Sequence, residues 1–181
     1  YNLDVFNTFL NSNGYNSNLA NSYFKDYKLL FDRDKLTEEI FWKGLGKKIR
    51  FKFDWRVLAE HNKKNLMINK PLLNYIKELK KNVQVALLSN MDKTSIATIK
   101  EEVELSQFFD KVYFSAELKS GKLDKKSIKR ISKEFKVNTE EMLLIDDSPG
   151  NIEKANDLGI KTILFTNLKD LKLEIINSLK N

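Results

Sequence analysis

From residue 71 onward the apolar positions fall into two alternating patterns. Short continuous runs at 83–88, 111–115, 142–145 and 161–166 read as buried strands. Between and around them, apolar residues recur at helical spacing: Leu72, Leu73, Ile76 and Leu79 after Pro71; Ile96, Ile99 and Val103; Ile128, Ile131 and Phe135; Ile152, Ala155 and Leu158 before Gly159; and Leu171, Ile175 and Leu179. Strand and helix in alternation predict a Rossmann-like α/β fold, a parallel sheet with helices on both faces. A short strand at residues 2–5, placed in the middle of the sheet, brings the expected count to about five. Its apolar run ahead of Asp4 is only Tyr1 and Leu3, so that strand is expected to have been clipped.

The stretch between this strand and the next is too long for a structureless connection. Leu19, Tyr23, Tyr27 and Leu30 form one helical stripe, and Leu36, Ile40 and Phe41 another. Asp54 is placed to cap a third helix through Val57, Leu58 and His61. The predicted organisation is a small helical cap, residues 11–70, inserted after the first strand of a core made from 1–10 and 71–181. The Asn/Ser-rich stretch 11–18 reads as the hinge loop into it. Phe41, Trp42, Phe51, Phe53 and Trp55 are assigned to the cap's own core, and His61, the one histidine, to its surface or half-buried face.

Ligands of an open parallel sheet bind beyond the carboxyl ends of its strands. Asp4, Ser89 with Asn90, Ser115 and Lys122, and Asp146 with Asp147 all fall on that rim. The adjacent carboxylates Asp146 and Asp147 close an apolar strand, where they repel each other unless a cation offsets them. Helix capping is the alternative role, but Ser148 and Pro149 already offer an N-cap and a first-turn residue. Asn151, behind the pair, suits either a metal-bound water or the surface. Asp4 precedes a polar turn at Asn7 and Thr8, where a metal held by Asp146 and Asp147 would neutralise it during attack on phosphorus. Ser89 and Asn90 offer donors for phosphoryl oxygens or, equally, a turn, and Lys122 offers positive charge, with Lys119 as a competitor. Arg33, Lys43, Lys48, Arg50 and Arg56 are candidates for anchoring a distal anionic group.

The net charge of +7, from 32 basic and 25 acidic residues, raises the question of nucleic acid. The lysines are instead spread over nearly every segment and interleaved with acids, so the partner expected is a small phosphorylated molecule, steered by a positive field, and not a nucleic acid. No stretch approaches the roughly 20 apolar residues of a membrane span, so no membrane partner is expected. The opening residues lack the pattern of a secretory leader, and cysteine is absent, which together point to the cytoplasm.

Four segments in this order, LDVFNTF, LLSN, SAELKSGKLD and LLIDDSPGNIEKANDLGI, resemble the four motifs of the haloacid dehalogenase-like superfamily. The last is similar to that of the epoxide-hydrolase N-terminal phosphatase and of sugar-phosphate phosphatases, and an insert after motif I resembles the C1 helical cap. The resemblance implies Asp4 as nucleophile, Ser89 and Lys122 as its catalytic partners, Thr8 and Asn90 as substrate contacts, and Mg²⁺ held by Asp4, Asp146, Asp147 and the backbone carbonyl of Phe6. Two positions depart from it: Phe6 stands where a general-acid Asp is usual, and Leu123 where a Pro follows the lysine. The implied activity is a Mg²⁺-dependent phosphatase working through an aspartyl-phosphate, slow or restricted to good leaving groups because Phe6 cannot give a proton. Two other readings stand beside it. One is a haloalkanoate dehalogenase, whose relatives carry an aromatic at the Phe6 position but lack the paired carboxylates. The other is a binding or regulatory protein that keeps the fold without catalysis.

Overall fold

The structure, a computed structural model, describes residues 3–178. It departs from expectation at once, because Leu3–Ser12 is a helix, α1, and not the end of a central strand. Leu3, Phe6, Phe9 and Leu10 recur at three- and four-residue spacing, the period of a helix face. Asp4 sits in the first turn, where the positive end of the helix favours a carboxylate. Phe6 and Leu10 are buried with residues of the next three helices, so the described part of 1–10 packs with the helical unit instead of the sheet.

Each of those helices carries its own start signal. α2 (Ser17–Asp32) begins at Asn16, whose side chain accepts from the Asn18 and Leu19 N–H groups. α3 (Glu38–Ile49) begins at Thr37, which accepts from the Ile40 N–H, with Glu38 and Glu39 in its first turn and Lys47 and Lys48 in its last. α4 (Arg56–Lys64) starts one residue later than expected, after Trp55, while Asp54 accepts from the Arg56 N–H at 2.9 Å. The helices close around a cluster of aromatic rings: Phe31 stacks on Phe41 with centroids 4.3 Å apart, and Phe6 meets Phe24 edge-on at 5.5 Å.

The rest alternates as the sequence pattern predicts: α5 (Lys70–Leu79), β1 (Ala86–Ser89), α6 (Lys93–Glu102), β2 (Lys111–Phe114), α7 (Ser115–Leu118), α8 (Lys125–Phe135), β3 (Leu143–Asp146), α9 (Pro149–Asn156), β4 (Lys161–Leu164) and α10 (Leu168–Ser178). β1 pairs with β2 in parallel, Ala86 opposite Lys111, and β3 pairs with β4 in parallel, Leu143 opposite Lys161. Both faces are covered. Ala86 and Leu88 of β1 pack with Ile128 and Ile131 of α8 and Ala155 of α9, in the cluster that also holds Leu144 of β3. The alternate residue Leu87 turns the other way, towards Ile96 of α6 and Leu73 and Ile76 of α5. Ile163 of β4 meets Leu171 and Ile175 of α10, together with Leu72, Tyr75 and Leu79 of α5. The sheet of about five strands is therefore realised among the described residues as four strands in two parallel pairs, with no backbone hydrogen bond from one pair to the other.

Two outcomes follow from the packing. Phe6→Ala should cost about 3–5 kcal/mol in urea unfolding, and Phe6→Asp more, because the ring fills a closed aromatic core; Asp4→Asn, exposed on the same helix, should stay within about 0.5 kcal/mol. Tyr113, on β2, donates to Glu134 at 2.8 Å. Burial, then the bond to Glu134 and its charge, push the phenol from 10.0 up to about 12. The folded state thus favours the protonated phenol, and its contribution is complete below pH 10 and lost as pH rises towards 12. Stability curves of wild type and Tyr113→Phe should run parallel below pH 10 and converge above it.

Candidate active site

Three loops at the carboxyl ends of the strands build the site. β1 closes on Ser89, and the next residue, Asn90, accepts the Lys122 backbone N–H at 2.8 Å through Oδ1. The Lys122 ammonium donates to Asp146 Oδ2 at 2.5 Å, the two side chains being 14% and 7% exposed. The other oxygen, Asp146 Oδ1, accepts from the Ser148 N–H at 3.1 Å and from Asn151 Nδ2 at 2.7 Å. Burial pushes the Asp146 carboxyl up, but the bonds from Lys122 and Asn151, the lysine charge and the Ser148 N–H outweigh it and hold the group below its ordinary value. Asp147 is exposed, and its side chain has no hydrogen-bond or ion-pair partner among the described residues.

Asn90, Lys122 and Asp146 are thus tied together at one rim, Ser89 and Asp147 adjoin them in the chain, and Asn151 joins as a direct partner of Asp146. The Ser148 side chain makes no capping bond, so part of the turn is held by Asp146 itself. Ser115, expected on the rim, is spent elsewhere: its hydroxyl donates to the Asp32 carbonyl at 2.6 Å and accepts from the Met91 N–H at 2.9 Å.

The residues drawn from LDVFNTF do not join. Among the described residues no group of three carboxylate, histidine or cysteine side chains converges as a metal site, so Asp4 does not complete one with Asp146 and Asp147. Asp4 and Thr8 are exposed on α1, where the Thr8 hydroxyl donates to the Asp4 carbonyl at 2.8 Å. The Phe6 carbonyl lies inside a helix, whose carbonyls are committed to N–H groups four residues on, and its ring is core. This placement lends no support to the roles expected of Asp4, Phe6 and Thr8 as nucleophile, metal ligands or substrate contact.

Asp124 carried no local signal in the sequence. Its carboxylate accepts from the Ser120 hydroxyl at 2.9 Å, the Gly121 N–H at 2.8 Å and Arg33 Nη2 at 2.9 Å, so a cap residue braces the Lys122 loop. Arg33, expected to anchor a substrate anion, is engaged there, with its Nε buried and without a partner among the described residues.

The profile described as "Haloacid dehalogenase-like hydrolase" matches residues 2–165. The chain belongs to this hydrolase family. A HAD family enzyme of Bacteroides thetaiotaomicron, solved with magnesium and inorganic phosphate, is 19% identical with a TM-score of 0.71 over 93% of this chain and 88% of its own. A predicted HAD-like family hydrolase of Porphyromonas gingivalis is 22% identical, with a TM-score of 0.69 over 92% of each chain. L-2-haloacid dehalogenase of Xanthobacter autotrophicus, with chloropropionic acid covalently bound, is 15% identical at a TM-score of 0.62, over 89% of this chain and 69% of its own. Among curated proteins, drimenol cyclase of Aspergillus calidoustus is 21% identical over 154 residues, 81% of this chain; the chain spans only 29% of that protein's length. At these identities the structures share the fold.

The Lys122–Asp146 pair makes a measurable prediction. Lys122→Met should destabilise the protein by about 3–5 kcal/mol, because it strands a buried carboxylate. With Asp146→Asn, a double-mutant cycle in urea should return a coupling of about 0.5–3 kcal/mol, and strict additivity would show that the pair is not formed.

Proposed function

We propose that this rim binds the phosphoryl group of a small phosphorylated metabolite and that the activity is that of a Mg²⁺-dependent phosphatase. The observation that carries it is the buried Lys122–Asp146 pair beside the exposed, unpaired Asp147: one fixed cation for phosphoryl oxygens next to two oxygen-ligand side chains. Mg²⁺ keeps several waters and takes one or two carboxylates plus a phosphate, and Asp146 with Asp147 fit that requirement. Bound there, the metal would neutralise charge on the phosphoryl group. This chain's own residues would do the rest: Ser89, which ends β1, and Asn90 after it offer a hydroxyl and an amide, Lys122 supplies the cation, and Asn151 fixes the Asp146 oxygen. The proposed setting is the cytoplasm, with no nucleic-acid partner; no helix among the described residues is long and apolar enough to cross a membrane.

One observation favours a second reading, a binding protein without turnover: among the described residues no third carboxylate stands with the pair to attack phosphorus. The dehalogenase reading loses its aromatic argument, since Phe6 lies in the cap core, and keeps only its likeness in fold to L-2-haloacid dehalogenase.

Calorimetry with Mg²⁺ and with inorganic phosphate, alongside a screen of sugar, aryl and acyl phosphates with and without Mg²⁺, tests these readings. A phosphatase should show Mg²⁺-dependent hydrolysis, with Mg²⁺ binding lost in the Asp146→Asn, Asp147→Asn double variant. Binding of both ions without turnover would select the second reading. Mg²⁺ bound equally well by the double variant would overturn the site.

A further inference from the structure

Residues 47–56, which close α3 and open α4, hold five basic residues and one acid, a net +4 of the chain's +7, with three aromatic residues among them. Lys47, Phe51, Phe53, Trp55 and Arg56 of this segment, together with Lys43, line a cleft of about 380 Å³, a volume within the range of small-molecule sites. The cleft lies away from the rim. The cap is fastened to the core through Asp32, Arg33 and Asp34, all ahead of α3, whereas the cleft opens past the middle of that 12-residue helix, which is about 18 Å long.

Phe53, assigned to the cap's core by its sequence, is instead 69% exposed, the most exposed aromatic side chain among the described residues. Its ring meets Phe51 edge-on at 5.8 Å, and Phe51 packs on Tyr15 at 4.9 Å, so the exposed ring is held in position from one side. Three cations stand around it. Lys47 has no hydrogen-bond or ion-pair partner among the described residues, and the α3 carbonyls beside it are already taken: Gly46 accepts the Phe51 N–H at 2.8 Å, and Lys47 accepts the Arg50 N–H at 3.3 Å. Lys43 pairs with Glu39 at 2.6 Å, and Arg56 pairs with Asp54 at 2.8 Å while its guanidinium lies 4.8 Å over the Trp55 ring. Both ion pairs are exposed, so exchanging their carboxylates for a ligand anion costs little.

We propose that this cleft is a second binding site, for a nucleoside mono- or diphosphate, with the base against Phe53 and the phosphates on Lys47, Lys43 and Arg56. Three cations suit a multiply charged anion, and the rings suit a flat base, which stacks on an aromatic face. The volume is at the small end of the range for ligand sites, which favours one nucleotide over a length of strand. The inference rests on the cap alone and is independent of what the rim binds or hydrolyses.

The probe is adenosine 5′-(α,β-methylene)diphosphate, titrated by calorimetry in EDTA so that neither hydrolysis nor Mg²⁺ at the rim contributes. It should bind with a single stoichiometry, and adenosine and ribose 5-phosphate, which carry the base or the anion alone, should each bind about tenfold more weakly or worse. Phe53→Ala should weaken the diphosphate about fivefold or more, and Phe53→Ala with Lys47→Gln about tenfold or more, while the urea midpoint stays unchanged because both side chains are exposed. Binding by the double variant as tight as that of wild type would put the nucleotide elsewhere and overturn the site. Ribose 5-phosphate binding as tightly as the diphosphate would reduce the cleft to a general attraction for anions, and no binding at about 1 mM would remove it altogether. Tighter binding of a ten-nucleotide oligo(dA) would also overturn the proposal, by assigning the patch to a single strand.

Discussion

Lys122 is held at both ends, and the arrangement of the sheet rim depends on it. Its backbone N–H is fixed by Asn90, after β1, and its ammonium by Asp146, at the end of β3. No ladder of backbone bonds joins the two strand pairs among the described residues, and this two-point tie links their carboxyl ends. Shielding from water strengthens the pair's attraction and raises the cost of breaking it, and Asn151 and the Ser148 N–H satisfy the remaining Asp146 oxygen. The lysine loop is shaped to match. Asp124 gathers Ser120, Gly121 and Arg33, while the Ser127 hydroxyl bonds the Gly121 carbonyl at 2.8 Å. A Cβ at Gly121 would lie 2.3 Å from Arg33 Nη2, so a larger residue there would push the arginine's end aside.

The helical cap is fastened to the same rim. The Ser115 hydroxyl takes up the Asp32 carbonyl at the end of α2, and Lys28 pairs with Asp32 and lies 3.9 Å from Asp92, the N-cap of α6. Burial pushes the Asp32 carboxyl up against the opposing pull of Lys28, as befits an acid placed in a packed joint. With Arg33 reaching Asp124, these bonds run from the last turn of α2 into the loops that carry the site, coupling the cap's position to that of Lys122. His61 belongs to the cap's interior packing: its ring stacks on Phe9 at 3.9 Å, and burial followed by the charge of Lys64 lowers its affinity for a proton.

The strand and helix alternation after residue 71 was legible in the sequence because it is local. Periods of two and of 3.6 are written in consecutive residues, as are caps such as Asn69 before Leu72 and Asp92 before Ser95. The same holds for Ser89, Asn90, Asp146 and Asp147, each of which directly ends or follows a strand, so that topology alone sends them to one edge, whereas Lys122 comes from the loop after α7. The strand reading of residues 2–5 failed because it weighed the type of one carboxylate above the spacing of Leu3, Phe6 and Leu10, and burial of Phe6 among aromatic rings decided for the helix. Tertiary structure alone decided that Arg33 meets Asp124, 91 positions away, and that Ser115 turns to the cap. Such outcomes depend on which distant groups satisfy a buried donor, and no run of neighbouring residues encodes that choice.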